Sequence, residues 1–445
     1  DDVDTAAPTR NAGVPRPRIV IDGVFWQYLS SGIGRVWENV LREWVKTGFI
    51  DNVILLDRAG TAPRIHGVHY WTIAKHDYAQ TGRDSLYLEQ VCRQLGADLF
   101  VSTYYSTPTT TPSFFSGYDM IPEVLGFPLA AEAWQEKRRA ILHAAGHSMI
   151  SRNSANDLER VYPELPRGRT HVVLVAADAN FKPPGEGEIR AFKTKHGLAD
   201  RRYVLMVGER FGHGGYKNGA LAFRAAAMLP KDKSFTLVCI GGQAEIEQQL
   251  RSLAPSLDVR RLSLSDDELR AAYGGAHALL YPSKYEGFGM PPLESMACGT
   301  PAIVCNNSSL PEVVGDAAIF VSDGDPGEMR DALLRLVEPD VRNDLIQRGL
   351  QQAGRFTFGK MAIELSNALV STHKRLAEGA ALRPSAIWTE FRTLQQELQA
   401  GSDRSVAAPS ILTADLENIR SLLDRATLKA RRVAGKLLRR TGLRQ

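Results

Sequence analysis

With 445 residues the chain is too long for one ordinary hydrophobic core, and two domains with additions are expected. Its 44% hydrophobic and 23% charged residues are the composition of a soluble globular protein, and a formal net charge of +4 gives a nucleic-acid partner no support from bulk electrostatics. No run approaches the roughly 18 apolar residues of a membrane span, and no N-terminal apolar segment reads as a signal peptide.

The chain opens at Asp1 without an initiator methionine, as a processed or excised piece of a longer chain does. Residues 1–17 are polar and proline-rich and are expected to be a disordered lead-in. A first domain is expected over 18–182. It begins with the β-type run "RIVIDGVFW" and the glycine loop "SSGIGR", after which Val36, Val40, Leu41 and Trp44 recur at helical spacing. "NVILLD" (52–57) is a short buried strand, "LYLEQVCRQLG" a helix and "ADLFVST" a strand; "HSMISRNS" and "THVVLVAAD" repeat the pattern. Strands alternating with helices imply a parallel sheet covered on both faces.

"NFKPPGEGE" (180–188) breaks the alternation with proline, glycine and charge and is read as the interdomain linker. A second domain is expected over 189–357. "RYVLMVG" is a strand, and Asn218 is placed to cap the helix "GALAFRAAAML". "FTLVCIGG", "DVRRLS", "HALLYPS", "PAIVC" and "AAIFVS" are further strands. Ser265 to Glu268 form a capping box, and Asp325 with Pro326 opens another helix. The fold class is therefore α/β, two doubly wound parallel-sheet domains in tandem. Cys92, Cys239, Cys298 and Cys305 show no metal-ligand spacing and read as buried free thiols, which suits a reducing cytoplasm.

Beyond about residue 358 the pattern is helical. One helix over 358–378 is expected to return to the first domain, and 379–445 is read as a helical extension. Within it, "IWTEFRTLQQEL" places Ile387, Phe391, Leu394 and Leu398 at apolar positions. From Leu416 the apolar set Ile419, Leu422, Leu423, Ala426, Ala430, Val433, Ala434, Leu437 and Leu438 marks one face of a long helix whose other faces are filled by Arg and Lys.

The most informative stretch is "YPSKYEGFGMPPLESMACGTPAI" (281–303). Pro292 suits a helix's first turn, so "PLESMAC" is a short helix closed by Gly299 and barred from continuing by Pro301. Glu286 then lies in a loop after the strand "HALLYPS", and Glu294 lies in the first helical turn. The amides of "GFGM" lie between them. Unpaired N–H groups and the helix dipole favour an anion there, and glycine lets a ligand approach the backbone. An anion flanked by two carboxylates that accept from hydroxyls matches a nucleotide sugar. A first-turn glutamate is also favoured by the dipole alone, so the argument rests on the whole string.

"EGFGMPPLESMACGTPAI", taken with "LPEVVGDAA", resembles the retaining glycosyltransferases of the large GT4 family, which share the GT-B fold of two Rossmann-like domains facing a cleft. The closest flavour is that of bacterial polysaccharide and O-antigen mannosyltransferases. The resemblance implies that Glu286 and the amides of Gly287, Phe288 and Gly289, with Met290 beside them, hold the transferred sugar, and that Glu294 holds the ribose hydroxyls. It also implies an Arg and a Lys against the pyrophosphate, offered here by Arg210 and Lys217 in "VGERFGHGGYKN". A departing nucleoside diphosphate builds negative charge, which two cations would stabilise. In "SGIGRVWE", Gly32 and Gly34 correspond to the family's glycine loop, with Arg35 next to them. A dinucleotide fold would want a third glycine where Trp37 stands, which argues against NAD. Many relatives carry a His-Asp pair in the first domain; "YDMIPE" keeps Asp119, with Tyr118 where the histidine would be. Asp119 is thus either catalytic or a structural acid. His213 is expected to be solvent-exposed.

The implied reaction moves a hexose, mannose favoured, from a nucleotide-diphosphate donor, GDP-mannose favoured, to a hydroxyl of a glycan or lipid-linked saccharide, with retention at the anomeric carbon. Neither a resident cofactor nor a metal is expected, because "SDD" and "DGD" read as helix starts. The expected location is the cytoplasm, with the basic tail lying either on an anionic inner membrane surface or against protein. Two other readings of the same architecture are a catalytically silent module that recruits partners through its tail and a sugar-nucleotide epimerase.

Overall fold

The computed structural model describes residues 17–28, 32–379 and 386–405, with side chains to 400. The lead-in up to residue 16 and the basic stretch 412–445 lie outside the described residues. The first sheet has seven strands: β1 Ile19–Asp22, β2 Val53–Arg58, β3 His69–Ile73, β4 Leu99–Ser102, β5 Ser113–Gly117, β6 Gly146–Met149 and β7 Thr170–Val172, in the order β3-β2-β1-β4-β5-β6-β7. The second has six: β8 Tyr203–Val207, β9 Thr236–Ile240, β10 Val259–Leu262, β11 Leu279–Tyr281, β12 Ala302–Cys305 and β13 Ala318–Val321, in the order β10-β9-β8-β11-β12-β13. Every pairing is parallel.

The crossovers are helical. In the first domain they are α1 Ile33–Thr47, α2 Thr81–Leu95, α3 Ile121–Val124, α4 Glu132–His143 and α5 Arg152–Val161. In the second they are α6 Glu186–Lys195, α7 Gly219–Ala227, α8 Gln248–Leu253, α9 Asp266–Gly275, α10 Met290–Ala297, α11 Leu310–Val314, α12 Pro326–Arg335 and α13 Pro339–Ala353. Two long helices follow, α14 Phe358–Ala377 and α15 Ile387–Ser405. The expected caps form: Ser265 accepts from the Glu268 amide, and Asp325 accepts from the Gly327 amide. Val36, Val40, Leu41 and Trp44 are the buried face of α1. In each sheet the order reverses beside the first strand, and the carboxyl ends of the strands at that reversal are where open α/β sheets bind ligands.

Three local expectations change. The run from Arg18 to Trp26 is not one strand, because β1 ends at Asp22 and Val24–Gln27 coil into a 3-10 turn. β3 and β5 are not among the expected strands: β3, "HYWTI", has strand-favouring residues but is a partly exposed edge, and β5 reads "SFFSG", with buried serines on either side of two phenylalanines. The third change is α15. Ile387, Leu394 and Leu398 are 51%, 52% and 39% exposed, whereas Arg392 is fully buried. The helix docks through its polar face. Arg392 makes a bidentate pair with Glu136 at 2.6 and 2.8 Å, Gln395 donates to Thr81 and Glu132, and Gln399 accepts from the Gly82 amide. A Cβ on Gly82 would stand 2.6 Å from the Gln396 amide nitrogen, so the helices touch backbone to backbone. Burial raises the Glu136 carboxyl, but Arg392 outweighs it and holds the group below its usual range.

The domains are joined through apolar packing as well as through the linker. One buried cluster runs from Ile19, Trp37 and Trp44 through Phe181 to Tyr273 and Leu293. α14 crosses back to the first domain, where the Trp44 indole donates to the Ala362 carbonyl at 3.0 Å and Thr372 covers Gly146. Among the described residues, no helix is long and apolar enough to cross a membrane.

Candidate active site

The loop leaving β11 carries Glu286 to the carboxyl end of the second sheet. Its amide donates to Ser308 Oγ at 2.9 Å, and its carboxylate accepts from Lys217 Nζ at 2.8 Å. Lys217 arrives from the loop after β8, which is tied to the β11 loop by Lys284 N–H donating to the Tyr216 carbonyl. The ammonium also lies 5.0 Å from the centre of the Tyr216 ring and 6.0 Å from that of Tyr281. Burial lowers the lysine's affinity for its proton, but Tyr281, Glu286 and Tyr216 outweigh it and the pKa is raised, so Lys217 is a fixed cation. Of three non-glycine residues with positive φ among the described residues, two, Asn218 and Ser308, flank this pair, which concentrates backbone strain at the site.

Past Glu286 the chain makes the turn Gly287-Phe288-Gly289 and enters α10. Gly289 has φ of 118°, a conformation that favours glycine. Gly287, Phe288 and Gly289 are buried residues, and their amides meet no acceptor among the described residues. Buried amides without partners at a helix N-terminus form a site for an anion. Met290, half-buried, is the first residue of the helix. One turn on, Glu294 is buried and accepts from the Tyr273 hydroxyl at 2.9 Å. Burial pushes its carboxyl up to about 7, against the opposing pull of the Tyr273 hydrogen bond and the Arg35 charge.

The first domain closes directly onto this loop. A Cβ on Gly287 would meet the Tyr118 carbonyl at 2.4 Å and Asp119 Cβ at 2.7 Å, so glycine is required for the contact. Asp119 is half-buried and accepts from the Ile121 amide, which opens α3. The Gly287 carbonyl accepts from Ser151 Oγ at 2.7 Å and from Ser154 Oγ at 3.0 Å, both at the start of α5. Glu312 of the second domain accepts from the Arg152 amide at 2.8 Å and the Asn153 amide at 3.4 Å, capping a helix of the first. Tyr285 donates to Asp157 on the same helix. On the other side, Arg35 pairs with Asp266 at 2.8 Å.

Other residues singled out in the chain lie differently. Arg210 is buried. Its guanidinium donates to Glu247 and to the carbonyls of Gly241, Gln243 and Glu245, which engages four of its five N–H groups in shaping the loop after β9. Among the described residues no hydrogen bond joins that guanidinium to the Lys217–Glu286 pair, and its expected place beside a diphosphate is left to the Arg210→Met variant to test. Asn218 stands at the N-cap of α7 but does not cap it, because its amide stitches the Pro282 and Asp323 carbonyls together. Gly32 has φ of 57°, and a Cβ there would meet nothing within 4 Å among the described residues, whereas Gly34 is needed for packing, a Cβ there lying 3.1 Å from the Trp26 ring. His213 is exposed, with its ring 4.2 Å from that of Phe127 across the cleft. Tyr118 is buried and turned into the first domain, donating to the Thr103 carbonyl and accepting from the Trp37 indole.

Sequence reasoning missed Ser151, Ser154, Glu312, Tyr273 and Tyr285. Glu312 sits inside the quoted string "LPEVVGDAA", but its partners are amides about 160 residues away, and no local pattern announces them.

Comparison with known proteins bears on this geometry. Residues 188–352 match the family described as "Glycosyl transferases group 1". The matched stretch spans most of the second domain. The match covers β8 to β13 and therefore Lys217, Glu286 and Glu294. Among curated proteins, the chain is 29% identical over 227 residues to the O-antigen chain mannosyltransferase B of Escherichia coli, covering 49% of this chain and 58% of that protein. It is 26% identical over 285 residues to the serotype-specific mannosyltransferase WbdA of Escherichia coli, covering 59% of this chain and 34% of that one. The chain thus matches between about a third and three fifths of these relatives' length. Among solved structures, the Anabaena protein HepE in complex with UDP-glucose superposes with a TM-score of 0.63 at 16% identity, covering 80% of this chain and all of that one. Together with the two facing parallel sheets, this identifies the GT-B fold and bears out the resemblance read from the chain.

Proposed function

We propose that the chain is a hexosyltransferase that takes a hexose, mannose favoured, from a nucleotide-diphosphate sugar and passes it to a hydroxyl of a glycan or lipid-linked saccharide. The observation that carries this reading is the arrangement around the cleft: a Lys217–Glu286 pair, three buried amides without acceptors and the buried Glu294, in one continuous site facing Asp119 of the other domain. The amides and Lys217 would neutralise a diphosphate, Glu286 would accept from sugar hydroxyls and Glu294 from a ribose. Arg210 has no part in this reading. Mannose is supported by the similarity to two mannosyltransferases of Escherichia coli.

A retaining course fits a site with a cation beside the leaving group and no histidine at the Tyr118 position, because the leaving phosphate can itself accept the incoming hydroxyl's proton on the same face. No metal is invoked for this step. The test is to incubate the chain with GDP-mannose and with UDP-hexoses and to follow nucleotide release and product anomeric configuration by NMR. GDP release with an α-linked product is expected. No release from any GDP- or UDP-sugar, with or without saccharide acceptors, would overturn the reading.

A further inference from the structure

A second built feature lies in the first domain, on the side of β1 and β2. At the carboxyl ends of β1 and β2, fully buried Arg58 bridges two carboxylates, Asp22 at 2.7 and 2.9 Å and Asp84 at 2.6 and 3.0 Å. Asp84 also holds His76 Nδ1 at 2.8 Å, and Ser106 donates to Asp22 at 2.7 Å. Gln27 clamps the His76 backbone with both ends of its amide, each at 2.7 Å. Burying such a network is weak as a source of stability, since desolvation offsets the attraction, but it fixes geometry.

What it fixes is a set of aromatic rings. Tyr28 and Tyr78 stack at 5.7 Å with an 18° interplanar angle, His76 meets Tyr78 edge-on at 4.6 Å, and Phe25 meets Tyr104 at 5.5 Å. Tyr28 is 41% exposed, and Tyr78 and Tyr104 are half-buried. Tyr78 Oη and His76 Nε2 are buried and meet no partner among the described residues. A buried hydroxyl and a ring nitrogen without partners await a ligand's polar groups. The wall borders the reaction centre: Tyr104 stacks on Tyr105 at 3.9 Å, Lys137 Nζ lies 5.9 Å from the centre of the Tyr105 ring and donates to the Asp119 carbonyl at 3.0 Å, and Asp119 lies against Gly287.

We propose that Tyr28, Tyr78 and Tyr104 are the platform on which the acceptor lies, and that the acceptor's reacting end is therefore a pyranose ring. This rests on the transferase reading and names its second substrate. A pyranose has one face of C–H groups, which packs on an aromatic face, and a rim of hydroxyls, which would meet the free Tyr78 and His76 atoms. An isoprenoid chain would call for aliphatic walls without phenols or unpartnered polar atoms. The rings are held in advance by Gln27 and the Arg58 network, so little ordering is left for the acceptor to impose.

The full chain, saturated with GDP, is titrated with α-linked mannotriose and separately with farnesyl phosphate, using saturation-transfer NMR. Mannotriose is expected to bind, with Tyr28→Ala and Tyr104→Ala each weakening it about tenfold, the loss of roughly one aromatic contact. Tyr28→Phe, which keeps the ring, is expected to restore binding, and GDP affinity is expected to be the same in all four proteins. Mannotriose affinity unchanged in Tyr28→Ala, or binding of farnesyl phosphate but not mannotriose, overturns the platform. Failure of the wild-type chain to bind GDP or turn over a nucleotide sugar would instead strike the transferase reading itself.

Discussion

The two walls of the cleft are built in different ways. The second-domain wall comes from one stretch of chain: Glu286, the three open amides and Glu294 lie within nine consecutive residues, with Lys217 added from the neighbouring strand end. The first-domain wall is assembled from Tyr28, Tyr104, Asp119, Ser151 and Ser154, carried by separate loops and helix starts. A site that grips a fixed chemical group, a diphosphate with a sugar at each end, suits a contiguous loop running into a helix. A site that must recognise a variable partner suits loop ends, which change without disturbing the sheet beneath them.

The sharpest test of this contrast is Glu286→Ala. If the contiguous loop carries the chemistry, turnover falls about a thousandfold while nucleotide affinity changes little, as for loss of a group acting on the transition state. Steady-state kinetics beside calorimetric GDP binding will decide it, and near-normal turnover would break the comparison at its root.

Arg210→Met tests where the second domain's charge is used. Because Arg210 holds carbonyls and Glu247, its loss is expected to cost about 3 kcal/mol of stability by leaving buried partners unpaired, with GDP affinity within about threefold. Urea unfolding and calorimetry separate the two effects. A large loss of affinity without loss of stability would return Arg210 to the diphosphate.

Glu294 makes the buried wall pH-sensitive. Its carboxyl keeps its proton to about 7 in the folded chain, against 4.5 ordinarily. Between those values the native state binds more protons than the unfolded state, so stability of the ligand-free chain falls as pH rises through this window, by up to about 3 kcal/mol. Glu294→Gln is expected to flatten this slope in thermal melts between pH 5 and pH 8. An unchanged slope would show that the carboxyl is better solvated than its burial implies.

The smallest effect expected is at the contact between the walls. Glu312→Ala removes the cap that the second domain places on α5, costing about 1 kcal/mol. Small-angle scattering is expected to report a wider average separation of the domains. An unchanged profile would assign closure to the apolar packing around Phe181 and Tyr273.

Much of the second domain was legible because its determinants are local. Proline in a first helical turn, glycine at a turn and a capping box each act within a few residues, and they placed Glu286 and Glu294 at opposite ends of an amide-lined turn before any tertiary contact was known. Alternation of apolar runs and helical spacing announced two parallel-sheet domains, but not β3 and β5, whose aromatic residues sit in runs too short and too mixed with polar residues to stand out. The arginine read as a diphosphate ligand also holds Glu247 and the carbonyls of Gly241, Gln243 and Glu245, and contacts of that kind are invisible in a linear pattern.

What the amino-acid order determined by itself was therefore the repeated strand-helix units and the donor-side turn, since backbone sterics and helix ends act at short range. Tertiary structure alone decided that Ser151 and Ser154 hold the Gly287 carbonyl, that Glu312 caps a helix of the other domain, and that α15 docks by Arg392 and Gln395 and leaves its leucines outside. Each of these joins groups far apart in the chain, and a hydrogen bond has no signature in sequence until folding sets its donor and acceptor about 3 Å apart.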